Sequence, residues 1–274
     1  MPHHWDVHHG WNAIDDQGYR YRDDRLGSGQ AARGFFAGPL REYAMSLGRP
    51  VSLLQAGYGV PLSVLGIGEP GAAGPDVSSV TAVDTDHPLV IQALEGMPQD
   101  MAQAYAEVIV GDLRTVPIPP RAFDVVYCAN LLERIEHVQL VLDRLVSALR
   151  PGGLLLISTH DRQTAYAFLD RTLPRFARKA LWERLRPDLP GPFPAVYERM
   201  VTERGIASYT LMRGLVIAQR SAHRSLPTAP RRISSSVRIT CAVISGLTRG
   251  RLGNTHDELL YVIRKPEDRS ARVV

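Results

Sequence analysis

Short, largely apolar runs that end near glycine or aspartate constrain the fold of this chain more than any other feature. Each run is continuous rather than alternating, which is typical of parallel strands buried on both faces of a sheet. Apolar residues recur at helical spacing between the runs, most clearly over 131–149;. The sequence therefore predicts an α/β fold with a mostly parallel central sheet and helices on both faces. The predicted strands are residues 51–56, 80–83, 106–110, 123–128 and 154–158.

The chain of 274 residues shows no internal repeat and divides into three predicted regions. Residues 1–50 form an irregular and partly helical cap, residues 51–160 a ligand-binding core, and residues 161–274 a basic helical insertion followed by strands that complete the sheet. Within the last region we predict a helix over 164–185, kinked at Pro174. Strands are predicted at 209–218 and 258–263, whereas 233–247 fits either a helix or a strand.

Charge is distributed unevenly along the chain. Residues 161–251 carry 17 Lys and Arg against 6 Asp and Glu, although the net charge of the whole chain is only +4. One interpretation is that this region faces an anionic partner. The other is a solvated, arginine-rich surface without a specific partner, and the sequence supports both.

Composition limits the metal binding and the cellular location that we predict for the protein. The two cysteines, Cys128 and Cys241, have no metal-ligand spacing around them, so no metal is expected;. The sequence shows neither a secretory signal nor the roughly 18 uninterrupted apolar residues that a membrane-spanning helix needs. A cytoplasmic protein is predicted, and contact with a membrane surface stays open.

Chemically useful residues follow the predicted strands. Glycine lets the backbone approach a ligand closely, and a carboxylate at the end of a second strand can accept both hydroxyl groups of a ribose. Because the carboxyl ends of parallel strands meet at one edge of a sheet, we expect these residues to converge on one crevice. The candidate binding residues are Gln55, Gly57, Gly59, Asp84, Asp112, Leu113, Cys128 and Asn130.

Several of these segments form a recognisable series. Asp112-Leu113, the Phe123–Val126 strand, Asp143 and the turn Leu149-Arg150-Pro151-Gly152-Gly153 occur in an order and near a spacing that resembles class I methyltransferases dependent on S-adenosyl-L-methionine (SAM), of the type 11 kind. The resemblance covers about residues 51–159. It implies a Rossmann-like fold, methyl transfer and SAM as the cofactor.

The resemblance also implies roles for individual residues. Gly57 and Gly59 would border the methionine part of SAM and Asp84 would hold the ribose. Asp112 and Leu113 would hold the adenine, while Cys128 to Asn130 would lie near the sulfonium. Two departures are Gln55, where the family usually has an acid, and Glu133, where it commonly has a histidine.

The methyl acceptor and a general base are less well defined by the sequence. His160, His137 and Glu133 are candidate bases because all three are predicted near the ligand edge, although a polar loop or helix-surface position is favoured for His137 and Glu133. The expected acceptor is a small molecule or a lipid-linked metabolite, anionic in view of the basic region. No Asn-Pro-Pro-Tyr motif occurs, so a nucleic-acid substrate is not expected.

Alternatives follow from the same residues. The basic segment 164–186 is interpreted as a lid or as core packing, ahead of a membrane-surface contact. A catalytically degenerate scaffold of the same fold is one alternative function. A nicotinamide-dependent Rossmann oxidoreductase is another, although Pro61 and Leu62 interrupt the glycine pattern that it would need;.

Overall fold

The computed structural model describes residues 20–22, 28–57, 62–68, 74–97, 99–185, 191–223 and 231–267. Its strands are β1 (Arg20–Arg22), β2 (Val51–Ala56), β3 (Val77–Asp84), β4 (Glu107–Val110), β5 (Phe123–Ala129), β6 (Leu149–His160), β7 (Val216–His223) and β8 (Glu258–Arg264). Its helices are α1 (Ser28–Leu47), α2 (Pro88–Glu95), α3 (Gln99–Ala102), α4 (Val138–Ala148), α5 (Ala165–Thr172), α6 (Arg175–Leu185), α7 (Glu203–Met212) and α8 (Arg231–Leu247). A 3₁₀ turn spans Leu62–Leu65.

The described strands form one sheet with the spatial order β1-β7-β8-β6-β5-β2-β3-β4. Strand β8 runs antiparallel to β6 and β7, and every other neighbouring pair is parallel. The carboxyl ends of β2, β3, β5 and β6 therefore share an edge, which the amino end of β8 joins. This confirms the predicted mostly parallel sheet.

Apolar side chains cover both faces of the sheet. On one face, Leu54 and Val126 pack with Leu142 and Leu145 of α4. On the other, Leu53 and Tyr127 pack with residues of α1 such as Phe36. Because β5 is buried along its whole length, its apolar side chains serve both layers. The helices on both faces that the sequence predicts are thus confirmed.

The amino-terminal edge of the sheet is fixed by a buried carboxylate. Asp124 of β5 accepts hydrogen bonds from Arg49 at 2.6 and 2.8 Å and from the Ser52 backbone N–H at 3.0 Å. Arg150 lies 2.8 Å from the same carboxylate. A Cβ on Gly153 would lie 2.8 Å from the Asp124 carbonyl oxygen, so this position needs glycine. The Phe-Asp strand and the Leu-Arg-Pro-Gly-Gly turn therefore stabilise the sheet.

Three predicted elements differ from the structure. The strand predicted at 209–218 is wrong, because residues 209–212 belong to α7, whose amino terminus is capped by Thr202. The chain then turns at Gly214 before β7 begins. The helix predicted from 131 begins only at Val138, after a turn. The segment 164–185 is interrupted at Leu173 and Pro174, which separate α5 from α6.

The segment 233–247, for which helix and strand were both predicted, is part of helix α8. None of the helices within the described ranges has the length and apolar character needed to cross a membrane.

Candidate active site

A cleft of about 620 Å³ opens at the carboxyl edge of the sheet, next to β3 and β4. We call it the Asp84 cleft. This volume lies within the range of about 300–1,000 Å³ that is usual for small-molecule sites. Its lining combines carboxylates with apolar side chains and includes Asp84, Thr85, Asp112, Leu113, Leu131 and Ile135.

Asp84 occupies the position that the sequence predicts for a ribose-binding acid. It ends β3, is almost fully buried and lines the cleft. Its Oδ1 accepts a hydrogen bond from the Thr85 backbone N–H at 2.7 Å, which orients the carboxylate. Strand β3 thus places a preorganised hydrogen-bond acceptor, the Asp84 carboxylate, in the cleft.

Gly57 forms the turn that leaves β2. Its φ of +92° is in the region that favours glycine, and a Cβ there would collide with the carbonyl oxygen of Ala129 at the end of β5;. Gln55 supports this turn from the buried side, because its Nε2 donates to the Gly57 carbonyl at 3.2 Å and its Oε1 accepts from the Tyr105 hydroxyl at 3.0 Å. Gly59 lies outside the described residues.

Asp112 and Leu113 both line the cleft, as the sequence predicts. The Asp112 carboxylate is engaged, since Nε and Nη2 of Arg114 lie 2.8 to 3.1 Å from its two oxygens. Hydrogen bonds from the Arg114 side chain and backbone lower the pKa of Asp112 to about 2. An adenine amino group at Asp112 would compete with this exposed ion pair.

Six of the predicted site residues that the structure describes are not among those lining this cleft: Gln55, Gly57, Cys128, Asn130, His137 and His160. Cys128 is fully buried in the core, and burial raises the pKa of its thiol well above the ordinary value. Asn130 follows β5 in a left-handed conformation and accepts a hydrogen bond from the Ser158 hydroxyl at 3.1 Å. His137 is exposed at the amino end of α4, where its backbone N–H donates to Glu198 at 2.6 Å. The structure therefore gives His137 a helix-terminus position that lines neither cavity, although its neighbour Glu136 lines the Asp84 cleft.

A second, smaller cavity of about 70 Å³ adjoins the cleft. We call it the His160 pocket. It lies between the carboxyl end of β6, helices α5 and α6, and the segment 192–197. Aromatic side chains dominate its lining, which also contains Arg134, Asp170 and Arg178; the aromatic members are Tyr166, Trp182, Phe193 and Tyr197. Arg134, Phe193 and Pro194 line both cavities and form the wall between them.

Glu133 and His160 form a buried pair in this pocket. His160 Nδ1 lies 3.1 Å from Oε1 of Glu133, and the Thr159 hydroxyl donates to Oε2 at 2.8 Å. Burial acts to lower the pKa of His160, but the hydrogen bond and charge of Glu133 outweigh it and raise the pKa to about 9. The raised pKa favours the protonated ring near neutral pH, and the general-base role of His160 stays a prediction.

Sequence reasoning missed the importance of Glu133. The residue is buried, and its backbone carbonyl accepts hydrogen bonds from the N–H groups of Val196 at 2.9 Å and Tyr197 at 3.0 Å. Its substitution for the family's usual histidine was the one available signal. Glu133 thus joins β6 to the loop that closes the pocket.

Tyr197 is held in a strained conformation against the pocket. Its φ of +47° is rare for a bulky residue, and its hydroxyl donates to Asp170 at 3.2 Å;. Such strain persists only where the surroundings over-determine it, and it concentrates at functional sites. The pocket wall is therefore shaped by specific contacts.

Arg134 stands at the junction of the two cavities. Its guanidinium lies 4.3 Å from the centre of the Phe193 ring. Among the described residues, no carboxylate forms an ion pair with it. The junction therefore presents a cation stacked on an aromatic ring, whose charge also helps to lower the pKa of the buried Glu133.

The doubly wound sheet and the cleft at its switch point define a Rossmann-like ligand-binding protein. Residues 54–157 match the family model described as "Methyltransferase domain". This part of the chain therefore belongs to the class I, SAM-dependent methyltransferase family, which confirms the family and the cofactor predicted from the sequence.

Individual relatives agree on the family and differ in the reaction. The chain is 30% identical over 157 residues to a trans-aconitate 2-methyltransferase of Paracidovorax citrulli, a match covering 57% of this chain and 52% of that protein. It is 30% identical over 84 residues to a ubiquinone biosynthesis O-methyltransferase of Marinobacter nauticus, covering 30% of this chain and 35% of that protein. The chain thus spans about half or less of the length of these curated relatives.

A solved structure shows the same fold. The SAM-dependent methyltransferase from Mesorhizobium loti matches with a TM-score of 0.50 at 17% identity, covering 87% of this chain and all of that one (100%). At this identity the likeness establishes the fold alone.

Proposed function

We propose that this chain transfers a methyl group from SAM to a small acceptor that carries an anionic group. In this proposal the cofactor binds in the Asp84 cleft. The acceptor binds at the junction of this cleft with the His160 pocket, which at about 70 Å³ holds only part of it. The observation that carries it is the junction of the two cavities, where Arg134 is available to an anion.

The residues of the cleft fit the cofactor. Asp84 offers a buried carboxylate to ribose hydroxyls, and Leu113 offers an apolar surface to an adenine ring. At Gly57 the backbone is so close to Ala129 that only glycine is accommodated. When bound, SAM supplies an electrophilic methyl group on a sulfonium.

The acceptor pocket favours an anion with a flat or apolar body. Its aromatic lining suits a planar group, and Arg134 and protonated His160 supply positive charge;. Glu133 offsets the charge of His160, whereas Arg134 has no paired carboxylate among the described residues.

The protonation of His160 also affects which acceptor atom can act as the nucleophile. Because the raised pKa of His160 favours the protonated ring near neutral pH, an acceptor oxygen that is already ionised, such as that of a carboxylate, is favoured;. The chain would then contribute by aligning the acceptor with the methyl group of SAM and by excluding water. Two reactants that are already held in line lose little further entropy when they react.

Cofactor binding is tested by thermal unfolding with S-adenosylhomocysteine. A ligand at 100 times its Kd stabilises the folded state by about 2.7 kcal/mol, which raises the Tm of a protein of this size by roughly 5–10 °C. Asp84→Asn should weaken binding at least about tenfold, because a charge-assisted hydrogen bond contributes about 1.5–3 kcal/mol. Asp76→Asn is the matched control, because Asp76 is exposed and directly precedes β3, the strand that Asp84 ends. No stabilisation at millimolar ligand would instead support a scaffold without catalysis.

Acceptor binding is tested with a panel of small aromatic and unsaturated carboxylates, each compared with its neutral amide. Methylated product is measured by mass spectrometry, and the carboxylates should react while the amides do not. Arg134→Gln should raise KM for an active acid about tenfold or more. Because Arg134 lines both cavities, the affinity for S-adenosylhomocysteine is measured in parallel, and the rise in KM should exceed any loss of that affinity. Arg199→Gln, an exposed arginine outside both cavities, serves as the control. Equal KM values for Arg134→Gln and the unaltered protein would refute the acceptor assignment.

A further inference from the structure

Helix α8 has two apolar faces, and only one of them is covered. Val237 and Cys241 are buried and pack with Ala165 of α5, and Val237 also lines the His160 pocket. On the opposite face Ile239, Val243 and Leu247 are 65%, 55% and 81% exposed. These three residues are spaced four apart, so they form one stripe along the helix. We call it the α8 stripe.

The sequence on either side of the α8 stripe carries charge of one sign. Residues 205–256 contain eight arginines and no acidic residue. Arg238 lies beside the stripe, while Arg249 and Arg251 follow its carboxyl end, and all three are exposed. An apolar stripe with an arginine rim is the pattern of a helix that lies in the headgroup region of a membrane.

We propose that the α8 stripe docks this protein on an anionic lipid surface. Leaving three large apolar side chains in water is unfavourable, and inserting them among acyl chains removes their surface from water. The arginine rim adds attraction to anionic headgroups. A second copy of the chain is disfavoured as the occupant, because the exposed Arg238, Arg249 and Arg251 of two copies would repel each other.

This location differs from the one considered on the sequence alone. Segment 164–186 was the candidate for membrane contact, but α5 places Ala165 and Ala167 in the core. Helix α6 exposes Phe176 but also carries the exposed ion pair Lys179–Glu183. Helix α8 combines an apolar stripe with flanking sequence that contains arginines and no acids, so it carries the proposal. The proposal is independent of the acceptor assignment.

The test is flotation of the full chain with vesicles of phosphatidylcholine, with and without 30% phosphatidylglycerol. Binding is expected only with the anionic lipid and should weaken as salt is raised. Ile239→Asp combined with Val243→Asp should reduce binding at least about tenfold. Leu211→Asp on α7, which replaces an equally exposed apolar helix residue elsewhere, should leave it unchanged.

A second variant separates charge from apolar contact. Arg249→Gln combined with Arg251→Gln keeps the stripe intact and should lower binding about fivefold for each arginine, as expected for about 1 kcal/mol per charge at an anionic surface. Unchanged far-ultraviolet circular dichroism verifies folding of every variant. Absence of binding to anionic vesicles, equal binding to neutral ones, or a dimer in light scattering that the aspartate variants dissociate would overturn the proposal.

Discussion

Asp124 illustrates how much a single residue contributes to this fold. Burial acts to raise its pKa, but hydrogen bonds from Arg49, Ser52 and Arg150 outweigh burial and hold the pKa well below the usual range. Asp124→Asn should therefore destabilise the protein by about 2–3 kcal/mol. That is less than the roughly 3–5 kcal/mol of a fully buried broken ion pair, because both arginines are partly in water;.

The measurement for Asp124→Asn is urea unfolding at pH 7, with Asp76→Asn as a surface control expected to change stability by less than about 0.5 kcal/mol. Because Asp124 lies at the edge of the sheet opposite the Asp84 cleft, the affinity of folded protein for S-adenosylhomocysteine should not change. A variant as stable as the control would contradict the role assigned to this carboxylate.

At the residue scale, the sequence predicted those site residues whose role depends on local position. Asp84, Asp112 and Leu113 directly follow strands, so the strand pattern alone brings them to one cleft. Glu133 was misjudged because its partners Thr159 and His160 belong to another strand. Cys128 was misplaced because every residue of β5 is buried, and strand position does not show which side chains reach a ligand.

At the scale of elements, the turn between β2 and the cleft depends on Gly57. Gly57→Ala should cost more than Gly48→Ala, although both glycines have positive φ. Nothing lies within 4 Å of a Cβ at Gly48, so only the backbone penalty of about 1–2 kcal/mol applies there;. At Gly57 the new Cβ also collides with the backbone of β5, which adds about 1–3 kcal/mol;.

The two glycine variants are compared by urea unfolding and by titration with S-adenosylhomocysteine. Gly57→Ala should bind the ligand at least about tenfold more weakly, whereas Gly48→Ala, at the end of α1, should bind it normally. Equal destabilisation by the two substitutions would show that the close approach to Ala129 is not a constraint.

Elements were predictable where local signals agreed with burial. Strands β2, β3 and β5 are apolar runs bounded by breakers, and each was predicted within a few residues. Strand β6 begins at Leu149 rather than at the predicted 154, so the segment predicted as a turn is part of it. Helix α7 was mistaken for a strand because Leu211 and Met212 are apolar yet exposed, which removes the amphipathic pattern of a helix. Its start is set by the Thr202 cap, a short-range signal that hydrophobic periodicity does not detect;.

At the scale of the whole molecule, the two cavities draw on different parts of the chain. The Asp84 cleft is lined mainly by residues 84–141, which are close in sequence. The His160 pocket needs residues from 133 to 237, contributed by β6, α5, α6, the 192–197 segment and α8. The first could therefore be predicted from motifs, while the second depends on tertiary packing that the sequence does not display.

The pH dependence of global stability follows from two shifted groups. The pKa of Asp124 is lower in the folded chain than its ordinary 3.8, so its contribution is present above about pH 4 and is lost on acidification;. The pKa of His160 is raised from 6.5 to about 9, so its contribution is complete below pH 6.5 and is lost as the pH rises to 9;. Stability should therefore be greatest between about pH 5 and 6.5.

Urea unfolding from pH 3 to 9 measures this profile. The carboxylates of Glu133, Asp257 and Glu258 all favour the charged form of His160, so His160→Gln should flatten the decline between pH 6.5 and 9. Asp124→Asn should flatten the decline below pH 4 and leave the alkaline side as it was. If the alkaline decline persisted unchanged in His160→Gln, the ring would be neutral in the folded protein, and its assignment as a cation facing an anionic acceptor would have to be abandoned.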